Sequence, residues 1–99
     1  MTKDQILIPV EKEELPGMVF SKTEVLANAS ERKKRKHDLY EAMLLGNRYK
    51  RKVKIHFDTY NHRHLEIETT VWQATDQNVV FKGGVTIPIH SIKEVLFHN

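Results

Sequence analysis

The lysine and arginine side chains are the strongest candidates for a functional site in this sequence, because most of them fall in one short window. Ten of the sixteen fall between Glu31 and Lys54, against three carboxylates, so this window has a net charge of +7. The rest of the chain, with six cations and ten carboxylates, has a net charge of −4. Such a concentration of charge indicates a polyanionic partner. The ten cations are Arg32, Lys33, Lys34, Arg35, Lys36, Arg48, Lys50, Arg51, Lys52 and Lys54.

Histidine is the residue type most suited to metal binding, and the chain has six. His62 and His64 flank Arg63, with a third histidine, His56, a few residues earlier. Zinc sites usually have four ligands, often including cysteine or carboxylate, and the charge of Arg63 would repel a cation. We therefore predict no metal site and no cofactor. This loop also contains Tyr60, and it is either a plain hairpin tip or a nucleic-acid contact made through stacking and charge.

Groups that could catalyse a reaction are scarce. The absence of cysteine excludes thiol catalysis, disulfides and sulfur-ligated zinc. None of the three serines, Ser21, Ser30 and Ser91, has the sequence context of a nucleophile elbow. A chain of 99 residues also leaves little room for a deep substrate pocket. We expect no catalytic residues and no enzyme activity.

Residues 21–46 form the predicted helical segment, because they contain no glycine or proline before Gly46. A Ser-x-x-Glu capping box begins at Ser21, and Asn28 offers a second N-cap. We favour a short helix leading into a longer one over Glu31 to Leu45, with Gly46 as its left-handed C-cap. One continuous helix is the alternative.

After Gly46 the hydrophobic period becomes two, which is typical of half-buried antiparallel strands. The pair Gly83-Gly84 predicts a tight two-residue hairpin, and Pro88 indicates an edge strand because proline has no N–H to donate. Five short strands in less than fifty residues favour a sheet that curls into a small barrel. The strands are predicted at Val53 to Phe57, Leu65 to Trp72, Val79 to Phe81, Val85 to Ile89 and Val95 to Phe97.

The first two strands predict their own pairing. If Ile55 lies opposite Ile67, the apolar side chains share one face and Lys54 faces Glu68. Opposite charges across strands stabilise a sheet, so we assign Lys54 a structural role. Trp72 has the parity of Glu68, so a regular strand exposes it as a contact aromatic, whereas a preceding bulge or a covering helix would bury it.

Residues 1–20 form an acidic lead, with a β-like run from Ile6 to Val10 and a turn at Pro16-Gly17. This lead should add an edge strand or remain loosely attached. Its apolar run is too short for a secretory signal or a membrane span, so we expect a cytoplasmic protein without membrane contact. The lead, the helical segment 21–46 and the β segment 47–99 together make one domain.

This order of elements, a helix followed by short bent strands and a tight turn before the last strand, resembles the Sm-like and SH3-like small barrels. These include the bacterial Sm-like RNA chaperone and the Rof-type inhibitors of the termination factor Rho. The resemblance covers about residues 39–97 and includes the pattern Ile-Pro-Ile-His-Ser-Ile-Lys-Glu-Val that begins at Ile87. It implies an α+β fold in which an N-terminal helical segment precedes a five-stranded, strongly bent antiparallel sheet forming a small barrel.

The cations of this window fall into two groups, one near the start of the predicted helix and one after its end. Cations near a helix N-terminus oppose the macrodipole, at about 0.3–1 kcal/mol each, so helix stability does not explain Arg32 to Lys36. We predict that this basic ridge and the connection containing Arg48 and Lys50 to Lys52 bind nucleic-acid phosphates, with RNA favoured. A solvated helix face is the plainer interpretation. Two other functions remain open, which are docking to an acidic surface of a transcription or ribonucleoprotein machine and self-association through strand edges.

Overall fold

The computed structural model describes residues 6–98, which fold as an α+β protein with one helix and seven strands. The elements are β1 (Leu7–Val10), α1 (Ala29–Tyr49), β2 (Val53–Asp58), β3 (His64–Thr69), β4 (Val71–Ala74), β5 (Asn78–Phe81), β6 (Thr86–Pro88) and β7 (Ile92–Leu96). Short 3-10 helices cover Lys12–Glu14 and Ile89–Ser91. The first five residues of the predicted acidic lead and the last residue of the β segment lie outside the described residues.

The strands form two sheets, ordered β1-β3-β2-β7 and β4-β5-β6. The predicted second strand is divided at Thr70, and its two parts, β3 and β4, belong to different sheets. The acidic lead does add an edge strand, because β1 pairs with β3 in parallel. The α+β class is therefore confirmed, and the predicted five strands become seven. Within residues 6–98 the two sheets form no closed barrel.

The predicted pairing of β2 and β3 is confirmed, with Ile55 opposite Ile67 and Lys54 opposite Glu68. A slip of one residue would turn the whole apolar face to solvent, so burial excludes every odd shift, and the short loop after Asp58 selects among the remaining registers. Each large side chain in the core contributes roughly 1.5–3 kcal/mol by leaving water. Fully buried members of the core include Leu39 and Ala42 of α1 and Phe57, Phe81, Ile87 and Ile92 of the sheets.

The β5–β6 turn has positive φ at Gly83 and Gly84, a conformation that favours glycine. Three residues, rather than the predicted two, connect the hydrogen-bonded ends. The Phe81 N–H donates to the Val85 carbonyl at 2.7 Å, and the Gly84 N–H donates to the Phe81 carbonyl at 2.9 Å. Pro88 lies in β6 at an edge of its sheet, as predicted.

The short first helix predicted from the capping box is not formed, so this prediction is wrong. The Ser21 hydroxyl donates to the Thr23 carbonyl at 2.9 Å and caps no helix. His90 Nε2 lies 2.7 Å from the Ser21 carbonyl oxygen, and the Val25 N–H donates to the His90 carbonyl at 2.9 Å. Hydrogen bonds to His90 therefore hold this segment in place, and no helix forms at the local capping motif.

The helix α1 begins at the second predicted N-cap. Asn28 Oδ1 accepts hydrogen bonds from the N–H groups of Ser30, at 2.8 Å, and Glu31, at 3.4 Å. The helix continues through Gly46, so the prediction of a C-cap there is wrong. Lys50 takes the left-handed position instead, with φ 56° and ψ 32°, and its N–H donates to the Gly46 carbonyl at 3.1 Å.

Candidate functional site

Arg35 is the buried member of the predicted basic ridge, with 6% of its side chain exposed. Its two terminal nitrogens each lie 2.7 Å from a carboxylate oxygen of Glu24, and Nη1 also donates to the Ile92 carbonyl at 2.9 Å. This bidentate hydrogen bonding holds the pKa of Glu24 below its ordinary value. Arg35 therefore joins α1 to the preceding segment and to β7. The positive charge of Arg35 is therefore paired with the carboxylate of Glu24 within the protein.

Two more cations of the ridge are engaged by the helix or its entry. Arg32 Nη1 donates to the carbonyls of Leu26 and Ala27, at 3.0 Å each. Lys34 Nζ lies 2.6 Å from Asp38 Oδ2, one turn further along α1. The hydrogen bond from Lys34 to Asp38 raises the pKa of the Lys34 ammonium. Arg32 thus fixes the chain leading into α1, and the charge of Lys34 is balanced locally.

Lys33 and Lys36 are the remaining ridge residues, and both are exposed. Lys36 Nζ lies 3.8 Å from Asp76 Oδ1. An exposed pair at this distance contributes little, typically about 0–1 kcal/mol. Among residues 6–98, Lys33 has no ion-pair partner. Of the predicted ridge of five cations, Arg35 is buried and Arg32 is bonded to the helix entry, whereas Lys33, Lys36 and the Asp38-paired Lys34 remain exposed.

The other end of α1 approaches the sheet closely at Gly46. A Cβ atom on Gly46 would overlap the Val71 carbonyl oxygen and lie 2.9 Å from Cγ2 of Thr70. Only glycine permits this approach, so the last turn of α1 covers the junction of β3 and β4. Thr70 is buried there, although its parity is that of the exposed Glu68. Because of this close approach, Thr70 and Val71 lie beside the C-terminal end of α1.

Trp72 follows this junction and is 47% exposed. It lines a surface groove of about 280 Å³ together with Asn47 and Lys50 of the helix end, Thr70, and Lys82 of the β5–β6 turn. The pairing of β4 with β5 is irregular between Val71 and Gln73, yet this bulge does not turn the indole inward. Of the alternatives left by the sequence, the structure shows the exposed aromatic.

Four cations surround this end of α1, and all are exposed. Arg48 lies in the last turn, and the other three follow in the connection to β2. In the part of the chain that the structure describes, none of the four has a carboxylate within salt-bridge distance. In the N-terminal ridge, by contrast, Lys34, Arg35 and Lys36 each have a carboxylate partner. We call the four cations at the helix end the basic connection, and its members are Arg48, Lys50, Arg51 and Lys52.

The loop between β2 and β3 lies far from the basic connection. Lys52 immediately precedes β2 and the loop follows it, so six strand residues, about 20 Å, separate them. Tyr60, His62 and Arg63 are exposed in this loop, whereas His64 Nδ1 lies 2.7 Å from Asp58 Oδ1. The predicted loop contacts and the basic connection are therefore not brought together.

The polar face of the first sheet places carboxylates close to lysine and histidine side chains. Lys54 faces Glu68 as predicted, but the nearest basic group to Glu68 is His98, whose Nε2 lies 2.8 Å from Glu68 Oε2. His56 Nε2 lies 2.9 Å from Glu66 Oε2.

Within residues 6–98 no three histidine, aspartate or glutamate side chains are grouped as metal ligands.

The helix α1 has 21 residues, yet most of its exposed surface is charged or polar. No helix among residues 6–98 is both long and apolar enough to cross a membrane.

The chain matches no family model, no curated protein and no solved structure. The resemblance to small barrels therefore stays a prediction that depends on element order. Function must be inferred from the geometry of the site itself.

Asn47 and Lys82 were not among the residues predicted for binding. The Lys82 N–H donates to the Thr70 carbonyl at 2.9 Å, which brings the β5–β6 turn to the β3–β4 junction. This hydrogen bond continues the β4–β5 pairing one position beyond Val71 and Phe81, and the sequence does not indicate it because it predicts one unbroken strand from Leu65 to Trp72. The parity of Trp72, by contrast, was a usable signal of its exposure.

Proposed function

We propose that this protein is a non-catalytic nucleic-acid-binding protein, with RNA favoured, whose basic connection holds the phosphates. One observation supports it above the others, which is that Arg48, Lys50, Arg51 and Lys52 are exposed and unpaired among the described residues. An uncompensated cluster of this kind attracts a polyanion and releases its counterions on binding. Lys33 and Lys36 extend the surface along α1 and make a smaller contribution.

Exposed aromatic side chains favour RNA, or another single strand, over a DNA duplex. Tyr49 and Trp72 are exposed beside the cations at the helix end. Aromatic rings stack on unpaired bases, whereas duplex bases are already stacked on both faces. The proposal treats the two sheets as the counterpart of an Sm-like or SH3-like small barrel, a rigid platform beside the binding surface. It also keeps the expected cytoplasmic location.

The hydrogen bonds of the serines support a non-catalytic role. The Ser21 and Ser91 hydroxyls donate to backbone carbonyls of neighbouring residues, at 2.9 and 2.7 Å. The Ser30 hydroxyl donates to Asn28 Oδ1 at 2.6 Å, within the N-cap. Each hydroxyl serves local structure rather than a general base.

The test is a salt-titrated binding assay with single-stranded RNA, duplex DNA and heparin. If four cations contact phosphates, log K for the single strand should fall with log salt at a slope of about −3. Changing all four residues of the basic connection to glutamine should remove most of this slope. A double variant, Lys33→Gln with Lys36→Gln, should have a smaller effect. Absence of binding at 50 mM salt, or binding that ignores salt, would refute the proposal.

Docking to an acidic protein surface is the second candidate, and one feature favours it. Tyr40 and Leu44 are exposed on α1, one turn apart, with Lys36 and Arg48 one turn before and after them. Exposed apolar side chains between cations suit an acidic, partly apolar partner. Partners that remain bound after nuclease treatment would favour this candidate. Light scattering would test the remaining expectation, self-association through strand edges.

A further inference from the structure

The groove beside Trp72 is a small one for a ligand site. Its volume, about 280 Å³, is just below the roughly 300–1,000 Å³ of sites for drug-sized ligands. One wall is the half-exposed indole of Trp72, and Asn47 supplies an amide that can both donate and accept hydrogen bonds. Lys50 and Lys82 add a positive charge from each bordering element. An aromatic wall, an amide and flanking cations are the groups that recognise an unpaired nucleotide.

The backbone on both sides of the groove is held in place. On the helix side, Gly46 lies directly against the Val71 carbonyl, immediately before Trp72 in the chain. On the turn side, the Lys82 N–H donates to the Thr70 carbonyl at 2.9 Å. The Lys82 carbonyl accepts a hydrogen bond from Lys12 Nζ at 3.1 Å. Walls fixed in this way reduce the ordering cost that binding would otherwise incur.

We propose that this groove binds one unpaired base of a single-stranded RNA, with Trp72 stacked on its face. The Asn47 amide hydrogen-bonds the base edge, and Lys50 and Lys82 contact the neighbouring phosphates. This inference rests on the proposed nucleic-acid-binding function and adds the kind of strand that the site accepts. A duplex is excluded because a paired, stacked base cannot present its face to the indole.

Trp72 is the only tryptophan of the chain, so its fluorescence reports on the groove directly. The wild-type protein is titrated with a twelve-nucleotide single-stranded RNA, with the matching duplex and with heparin. We expect the single strand to quench Trp72 fluorescence and the other two polyanions to leave it nearly unchanged.

Variants then measure how much the stacking contributes. Trp72→Leu should weaken binding of a fluorophore-labelled single strand by about 5-fold to 150-fold, the range for loss of one stacked base. Trp72→Phe, which keeps an aromatic face, should retain most of the affinity. Heparin affinity should be equal for all three proteins, because heparin has no base to stack. Circular dichroism confirms that both variants are folded.

Two outcomes would overturn the inference, and they are distinguishable. If the wild type binds the single strand without quenching and Trp72→Leu binds equally well, the base site is wrong while the basic connection stands. If the wild type binds no single strand even at 50 mM salt, the proposed function fails and the base site fails with it.

Discussion

Replacing Lys50 with glycine should make the protein more stable and, at the same time, a weaker binder of nucleic acid. Lys50 ends α1 at φ 56°, in the left-handed region. This conformation costs a residue with a Cβ atom about 1–2 kcal/mol, whereas glycine adopts it freely. This gain is partly offset, because a glycine backbone loses more conformational freedom on folding, at a cost of about 0.5–1 kcal/mol. The net gain should be about 0.5–1 kcal/mol.

Binding should change in the opposite direction. The Lys50 side chain is exposed and has no ion-pair partner among residues 6–98, so its removal breaks no such pair. Loss of one phosphate contact should reduce the salt slope for a single strand by about 0.7 and the affinity at 0.1 M salt by about fivefold. A variant that is better folded yet binds less well cannot be explained by misfolding.

The assay combines urea denaturation, followed by circular dichroism, with fluorescence anisotropy of labelled RNA at several salt concentrations. Lys50→Arg is the matched variant that keeps both charge and strain, so its stability and binding should equal those of the wild type. Lys22→Gln is a second control, because it removes an exposed charge next to Ser21, whose N–H donates to the carbonyl of Asp58 at the opposite end of β2 from Lys52. If the glycine variant is no more stable than the wild type, the strain argument is refuted, and if it binds RNA unchanged, Lys50 does not contact phosphate.

Three further predictions concern the fold that positions the site. Gly46→Ala should lower the free energy of unfolding by about 1–3 kcal/mol, despite the higher helix propensity of alanine, because its methyl group would overlap the Val71 carbonyl; an unfolding titration that shows stabilisation would contradict the close approach. Asn28→Ala should cost about 1 kcal/mol by removing the N-cap of α1, again measured by urea denaturation. Because the pKa of Glu24 is depressed in the folded protein, its pairing with Arg35 stabilises above the ordinary glutamate pKa, and this contribution is lost as pH falls through the folded value. Thermal unfolding of wild type and Glu24→Gln should therefore differ at pH 7 and converge as the pH falls below the ordinary glutamate pKa and through the lower folded value, whereas a constant difference would contradict the pairing.

The β pairing could be predicted because two physical requirements act together. Burying Ile55 and Ile67 on a common face excludes every odd shift, and the short connection between β2 and β3 favours the register in which Lys54 faces Glu68. Local caps were less reliable. Asn28 and Ser21 both have capping side chains, but hydrogen bonds between His90 and the segment containing Ser21 and Val25 favour a bent, non-helical chain there. Tertiary contacts of this kind outweigh a local propensity of about 1 kcal/mol.

The candidate site was predictable only in part, because charge is visible in a sequence and its neutralisation is not. Arg35 resembles its neighbours in the basic run, yet its acceptors, Glu24 and the Ile92 carbonyl, lie outside its helix. The same limit applies to Gly46, whose close contact with Val71 was hidden by its resemblance to a C-cap. Both depend on distances between elements that local patterns do not encode.

The parallel pairing of β1 with β3 has a consequence for synthesis. Leu7 pairs with His64, so a strand that leaves the ribosome early must wait for more than fifty further residues before its partner exists. Antiparallel β2 and β3 can form their hairpin locally, and β1 must join afterwards because loop closure over such a distance is slow. The nascent chain therefore passes through a stage with an unpaired apolar strand, which is when this small protein is most exposed to aggregation or to capture by chaperones.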